Sequence, residues 1–264
     1  MLLNHTLRLA RLDLTMLTRN RMAFFTTIAF PLLLGCIALL LRGGFVSGVS
    51  TGLYTLTGML ALIGFFVTFM HLTTLFTVRR EDLVLKRMRG SVLSEAAIFS
   101  GSGLACTLIY VLQSAVIITL GIVALGGHLP RNIPLVFLGV VLGSVMFVPM
   151  AAALSGFTKT GESAQITVLP AMLILAATSQ ASFPLAAMPE MVQRVAAALP
   201  LSPVVDVIRI GYFGLDFTQG APHPAVDFAG SWVASAPRLL LIVAWTVVGV
   251  LIARKHFRWE PRNA

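Results

Sequence analysis

Residues 77–94 read TVRREDLVLKRMRGSVLS, and this segment concentrates charge in a chain that is otherwise poor in it. Seven of the eleven residues from Arg79 to Arg89 are charged, whereas the stretches from Gly43 to Val78 and from Ala96 to Pro130 contain no Asp, Glu, Lys or Arg. Apolar runs longer than about 18 residues are typical of membrane-spanning helices. The charged segment is therefore predicted to be a loop between two such helices.

The composition is that of an integral membrane protein. The 264 residues are 57% hydrophobic and 11% charged, against about 25% charged residues in a soluble domain. We predict an all-α membrane protein that forms a single domain over residues 1–264, with six membrane-spanning helices. The predicted spans are 22–41, 53–77, 97–125, 133–156, 163–182 and 233–253. The net charge of +9 comes from arginines that flank these runs, so no nucleic-acid partner is expected.

Residues 2–20 have the pattern of an amphipathic helix lying on the membrane surface, with its arginines toward lipid headgroups. The apolar residues at helical spacing are Leu3, Leu7, Ala10, Leu14 and Leu17. The alternative is a poorly ordered terminus. Membrane lipids are thus expected partners of this segment.

The distribution of Lys and Arg predicts the orientation. Four lie in the N-terminal segment, five in the 77–96 loop, one after the fourth span and four at the C-terminus, against five on the other side. Loops rich in Lys and Arg stay in the cytoplasm. We therefore expect a multi-pass protein of the cell membrane with both termini and the charged loop in the cytoplasm.

Besides its charge, the loop has the residue pattern of a short helix. Asp82 and Lys86 have the i,i+4 spacing of an ion pair. The apolar residues predicted to share one face are Leu85, Met88 and Val92, with Val84 beside them. Gly90 is placed to end the helix, and Ser91 or Ser94 to cap the next one. Two interpretations stay open on these residues alone: a topological anchor, or a docking surface for a partner protein.

This loop resembles the coupling helix of the type-2 ABC exporter permeases (ABC-2 type), whose pattern is roughly R-E-x-x-x-L-x-R-L-x-x-x-P-L-S. The matching positions are Arg80, Glu81, Leu85, Arg87, Met88, Leu93 and Ser94. Val92 departs from the pattern, since many members have proline there. The resemblance implies that residues 79–94 dock in a groove of a cytoplasmic ABC ATPase subunit.

A second block, residues 183–214, is similar to the segment after the fifth span in the same family. The matching positions are Pro184, Pro189, Pro200, Asp206 and Arg209. Prolines break the helices here, and irregular backbone at membrane depth must be buried in protein or line a water-filled cavity. We predict a re-entrant hairpin on the outer side, in which Asp206 and Arg209 pair on one helical face. That pair either holds the hairpin together or contacts cargo.

The resemblance implies a permease subunit that works in an ATP-driven exporter, as two permease copies or homologues with two ATPases. It leans toward the drug and antibiotic exporter branch, with an amphiphilic or lipid-like cargo. The sequence lacks the phosphate loop G-x-x-x-x-G-K followed by Ser or Thr. We therefore expect a chain that is not an enzyme and binds no cofactor, with ATP and Mg on the ATPase subunit.

The residues disfavour two other function classes, a secondary transporter or channel and a membrane enzyme. A secondary transporter or channel usually carries ionisable groups at mid-membrane, and the predicted spans contain only Arg238, near one end. A membrane enzyme is disfavoured because the five histidines are scattered and no H-E-x-x-H occurs. Gln113, a polar residue midway in the third span, is the candidate for a cargo-path lining residue.

Overall fold

The computed structural model describes residues 2–41, 43–179, 181, 189–219 and 222–260. Six helices in this part are long and apolar enough to cross a membrane, which confirms the all-α fold with six spans. Spans one to six are Arg21–Leu40, Thr51–Glu81, Glu95–Leu125, Ile133–Phe157, Gly161–Thr178 and Phe228–His256. Span two extends beyond the predicted residue 77, and span five ends before the predicted residue 182.

Spans one and two each change helix type along their length. Span one consists of α-helix Arg21–Phe24, π-helix Phe25–Ala29, α-helix Phe30–Cys36 and 3₁₀-helix Ile37–Leu40. Span two consists of α-helix Thr51–Gly64, π-helix Phe65–Met70 and α-helix His71–Glu81. A short antiparallel pair joins the two spans, β1 (Phe45–Val46) with β2 (Val49–Ser50). The π segments matter for the site, since a π turn displaces the regular i to i+4 hydrogen bonds.

The N-terminal helix, Leu2–Arg19, packs against span three. Its buried residues are Thr6, Leu9, Ala10, Asp13 and Leu17. The predicted amphipathic helix is present, but Leu3 and Leu7 are 68% and 50% exposed. The face turned to the protein is therefore rotated from the predicted apolar stripe, and the two leucines are exposed.

Two helices separated by a bend of 86° lie between spans five and six. The first hairpin helix is Glu190–Ala198 and the second is Leu201–Phe213. Pro189 and Pro200 stand immediately before them, while Pro184 lies outside the described residues. Every residue of the second hairpin helix is buried, in contact with spans two, four and six.

Two glycines of span four allow the second hairpin helix to approach closely. A Cβ atom added to Gly139 would lie 2.9 Å from Val207 Cγ1, and one added to Gly143 would lie 3.0 Å from Val204 Cγ1. The Gly139–Gly143 pair has the small-xxx-small spacing that permits close helix contact in membranes. This contact seats the hairpin inside the bundle.

Candidate functional site

One end of the bundle, here called the basic end, gathers the N-terminal helix, residues 79–94, the start of span three and the residues after span six. The short loop helix, Val84–Arg89, is its centre. An apolar cluster joins these parts, formed by Leu9, Leu85 and Ile98 with Met88, Leu93, Phe257 and Trp259 packed around them. Two of the three apolar residues of the loop helix, Leu85 and Met88, therefore face the bundle.

Arg79, at the end of span two, is buried in an ion pair with Asp13 of the N-terminal helix. Its Nη1 also donates a hydrogen bond to Ser102 Oγ at 3.0 Å, and that hydroxyl donates to Asp13 Oδ2 at 2.6 Å. The three side chains tie the N-terminal helix to spans two and three.

Arg80 and Glu81 are fastened to spans four and five. The Arg80 side chain is 1% exposed and donates to the carbonyl oxygens of Ser155 at 2.7 Å and Thr158 at 2.5 Å. A guanidinium at a helix C-terminus satisfies carbonyls that lack a helical partner. Glu81 Oε2 accepts from the backbone N–H of Gly161 at 2.9 Å, at the start of span five. Direct contact of Arg80 and Glu81 with an ATPase stays a prediction.

The cations of the loop helix point outward. Lys86 pairs with Glu260 at 3.0 Å and Arg89 with Glu95 at 3.1 Å. All four side chains are more than half exposed, and Arg87 is also exposed. Ion pairs of this kind contribute little to stability because water screens them. The outer surface of the loop helix is thus basic and open to exchange of ionic partners.

The backbone at both ends of the loop helix corrects two predictions. Leu83 has φ +58°, in the left-handed region, so Asp82 lies outside the helix and Lys86 pairs with Glu260 instead. The helix ends at Arg89, and Val92 beyond it is 87% exposed rather than on the face of Leu85. Ser94 caps span three as predicted, since its side chain accepts from the backbone N–H of Ala97 at 3.2 Å.

Gln113 lies where spans one and three meet. Its side chain is buried, and Nε2 donates to the carbonyl oxygens of Thr27 at 3.0 Å and Ile28 at 3.4 Å. Both carbonyls belong to the π segment of span one. Thr27 Oγ1 in turn lies 3.0 Å from Nδ1 of His71 in span two. Gln113 therefore holds span one against span three, and its place on a cargo path stays a prediction.

The polar residues of the hairpin have different partners from those predicted. Asp206 Oδ2 accepts from Arg238 Nε of span six at 2.7 Å. Arg209 lies 3.5 Å over the Tyr54 ring of span two, and it donates to the Tyr54 carbonyl at 3.1 Å and to Thr57 Oγ1 at 3.4 Å. The prediction that Asp206 and Arg209 form an ion pair with each other is corrected, because the helix turns the two side chains to different spans.

The sequence model of the ABC-2 family transporter proteins matches residues 47–255. The chain belongs to this family. As an ABC-2 permease it is a multi-pass membrane subunit of an ABC transporter, a kind of subunit that normally pairs with an ATPase subunit. The matched range contains both the charged loop and the hairpin. A comparison with curated proteins returns no match.

Sequence reasoning did not assign two residues that organise the ABC-2 permease. Asp13 is the only acidic residue of the N-terminal helix, and it stands on the face of Leu9 and Leu17 rather than with the arginines. Arg238 was noted only as a charge near a span end. In both cases a lone charge in apolar surroundings was the available signal, because such a charge requires a partner.

Proposed function

We propose that this permease exports an amphiphilic small molecule, such as a drug, an antibiotic or a lipid-like molecule, out of the cytoplasm. Two permease copies would act with two ATPase subunits, which hydrolyse ATP. The basic end is the cytoplasmic side in this proposal, and the ATPase docks on the exposed surface of residues 79–94. The side chains of this segment that are buried in the permease would transmit motion to the spans and would not contact the ATPase.

The observation that carries this proposal is the division of the charged loop into a fastened half and an exposed half. Arg79, Arg80 and Glu81 are bonded to the N-terminal helix and to spans three, four and five. Arg87 and Val92 are exposed. The exposed surface combines the apolar Val92 with the cations of the loop helix. Such a surface fits an apolar groove with an acidic rim on the ATPase. A pull on the exposed half would reach several spans through the fastened half.

Co-purification of the ATPase subunit from the native host tests the docking surface. We expect Arg87→Glu combined with Val92→Asp to reduce ATPase recovery at least tenfold, because both changes act on exposed side chains and leave the buried bonds intact. Arg8→Glu, on the exposed arginine face of the N-terminal helix, is the matched control and should keep the ATPase. Leu85 is a poor target, because its burial makes any polar substitution destabilise the permease itself.

Recovery of the ATPase at the unmodified level with the doubly substituted loop would refute docking at this surface. Should the unmodified chain bring down no ATPase, even after crosslinking in membranes, the alternative of a secondary transporter or channel would replace the exporter. Proteoliposomes that contain both subunits then test export, since ATP-dependent accumulation of a fluorescent amphiphile is expected only with the intact loop.

Cysteine labelling tests the orientation. In a background without Cys36 and Cys106, a membrane-impermeant maleimide should label Arg87→Cys from the cytoplasmic side and Ala225→Cys from the outer side. Both positions are exposed, so labelling reports sidedness and not burial. The reverse pattern in sealed vesicles of known orientation would overturn the assignment of the basic end to the cytoplasm.

A further inference from the structure

A groove of about 880 Å³ opens at the basic end between spans three, four and six. Its volume falls in the range of about 300–1,000 Å³ that is usual for pockets of drug-sized ligands. The inner walls are aliphatic, formed chiefly by Leu104, Val141, Val145, Val148 and Val250. Such a cavity suits a hydrocarbon chain.

The threonines of spans three and six that line the groove, Thr107 and Thr246, offer no free hydroxyl. Thr246 Oγ1 donates to the Ile242 carbonyl oxygen at 2.8 Å. Thr107 Oγ1 donates to the Gly103 carbonyl at 2.9 Å and lies 2.8 Å from Ser144 Oγ. Because these bonds satisfy the hydroxyls, the neighbouring valines determine the character of this wall. The occupant of this part is therefore expected to be apolar.

The mouth of the groove is electropositive. Glu95 lines it, but Arg89 neutralises that carboxylate at 3.1 Å. Arg254, on the opposite lip, forms no ion pair within 4 Å with any residue in the described part of the chain. Residues 254–258 hold three cations and no acid. The mouth therefore favours an anionic group.

The residues that line the groove also lie at the membrane depths expected for a lipid site. Trp259 lines its mouth together with Arg254, and Val141, near the middle of span four, lines its depth. Tryptophan and arginine are enriched at the headgroup level of membranes. Val145, on the wall, is 44% exposed, so the groove is open toward the surrounding bilayer.

We propose that this groove binds an acyl chain of an anionic phospholipid from the leaflet at the basic end, with the lipid phosphate against Arg254. Spans three, four and six supply the walls, and the loop helix touches only the mouth, through Arg89 on Glu95 and Met88 near Trp259. Gln113 does not line the groove. The proposal does not depend on the direction of transport or on its cargo.

Native mass spectrometry of the purified chain in a neutral detergent tests this proposal, with phosphatidylglycerol and phosphatidylcholine of identical acyl chains as probes. We expect one phosphatidylglycerol molecule to be retained with about fivefold preference, the effect of one basic residue near an anionic headgroup. Arg254→Gln should abolish that preference, whereas Arg19→Gln, a matched loss of an exposed cation at the same end, should keep it.

A second pair of variants tests the acyl chain. Val145→Trp fills the groove and should remove the retained lipid, while Val243→Trp, at a 49% exposed position of span six that does not line the groove, should not. Equal retention by Val145→Trp and Val243→Trp would overturn the proposal, as would equal retention of the two lipids. Displacement of the bound lipid by glycerol phosphate alone would also overturn it, since the headgroup would then bind without the groove. Arg254 is exposed, so Arg254→Gln should leave the fold intact. Its result decides the test in the case where Val145→Trp does not fold.

Discussion

Removal of the Asp13 carboxylate should release the N-terminal helix from the bundle. Asp13→Asn leaves Arg79 buried, with a side chain only 7% exposed, and with Ser102 as its neutral partner. Removing one member of a buried ion pair costs about 3–5 kcal/mol. For a chain of this size about 2–4 °C of melting temperature corresponds to each kcal/mol, so we expect a loss of roughly 10 °C.

Thermal unfolding of the purified chain in detergent measures this loss, and an exposed ion pair supplies the control. Glu95→Gln breaks the pair with Arg89, whose side chain is 55% exposed, and exposed pairs contribute about 0–1 kcal/mol. The double variant Asp13→Leu with Arg79→Met should recover most of the stability, because a buried pair replaced by apolar residues of similar size is often neutral.

The same variants should change the mobility of the N-terminal helix. A cysteine reporter at Leu9, which is buried, should react faster with a thiol reagent in Asp13→Asn than in Glu95→Gln. If Asp13→Asn lowers the melting temperature no more than Glu95→Gln and leaves the Leu9 reporter protected, the pair of Asp13 with Arg79 does not hold the helix.

Three further results are expected. Gly143→Leu should destabilise the fold by about 1–3 kcal/mol through overpacking against Val204, whereas an unchanged melting temperature would show that the hairpin helix does not pack there. Gln113→Leu should cost only about 0.6 kcal/mol, the average hydrogen bond between membrane helices; an altered cargo profile in this stable variant would support its predicted place on the path, and an unchanged profile would remove it. Asp216 is buried, which opposes ionisation, but hydrogen bonds from Thr218 and Gln219 and the charge of Arg238 hold the pKa of Asp216 below its usual range. Its stabilising effect should therefore persist at neutral pH and be lost as the pH falls through the lowered pKa, and Asp216→Asn should abolish that acid-dependent loss of melting temperature.

The six spans followed from the sequence because the thickness of the bilayer sets their length and apolar character. Their ends did not follow as well. The apolar run of span two ends at Val78. The helix nevertheless continues through Arg79, Arg80 and Glu81. The N-terminal helix and spans three, four and five provide partners for those three side chains, and no local pattern records such partners.

The loop helix shows why spacing arguments fail across a break. Asp82 and Lys86 are four apart, and Leu85 and Val92 are seven apart, which would place each pair on one face of a continuous helix. The left-handed backbone of Leu83 and the end of the helix at Arg89 interrupt that continuity. The pattern predicted a helix in residues 79–94, but the separate helix is only Val84–Arg89, and its register with the residues on either side was wrong.

The hairpin was predicted in outline and misjudged in detail for a related reason. Prolines indicate where helices break, whatever surrounds them. The partner of a charge in a membrane, however, is decided by whichever span is adjacent, because an unpaired charge is costly there. Asp206 therefore bonds to span six and Arg209 to span two, although the two residues stand three apart in one helix.

The concentration of charge in residues 79–94 has two separate physical causes. Its first part is charged because the N-terminal helix and spans three, four and five offer groups that Arg79, Arg80 and Glu81 satisfy. Its second part is charged on the outside only, where Lys86, Arg87 and Arg89 face water. A topological anchor would need cations but no buried bonds to several spans. In the proposed exporter the buried bonds would transmit force to the spans and the exposed cations would contact the ATPase, so substitutions in the two halves should separate stability from ATPase binding.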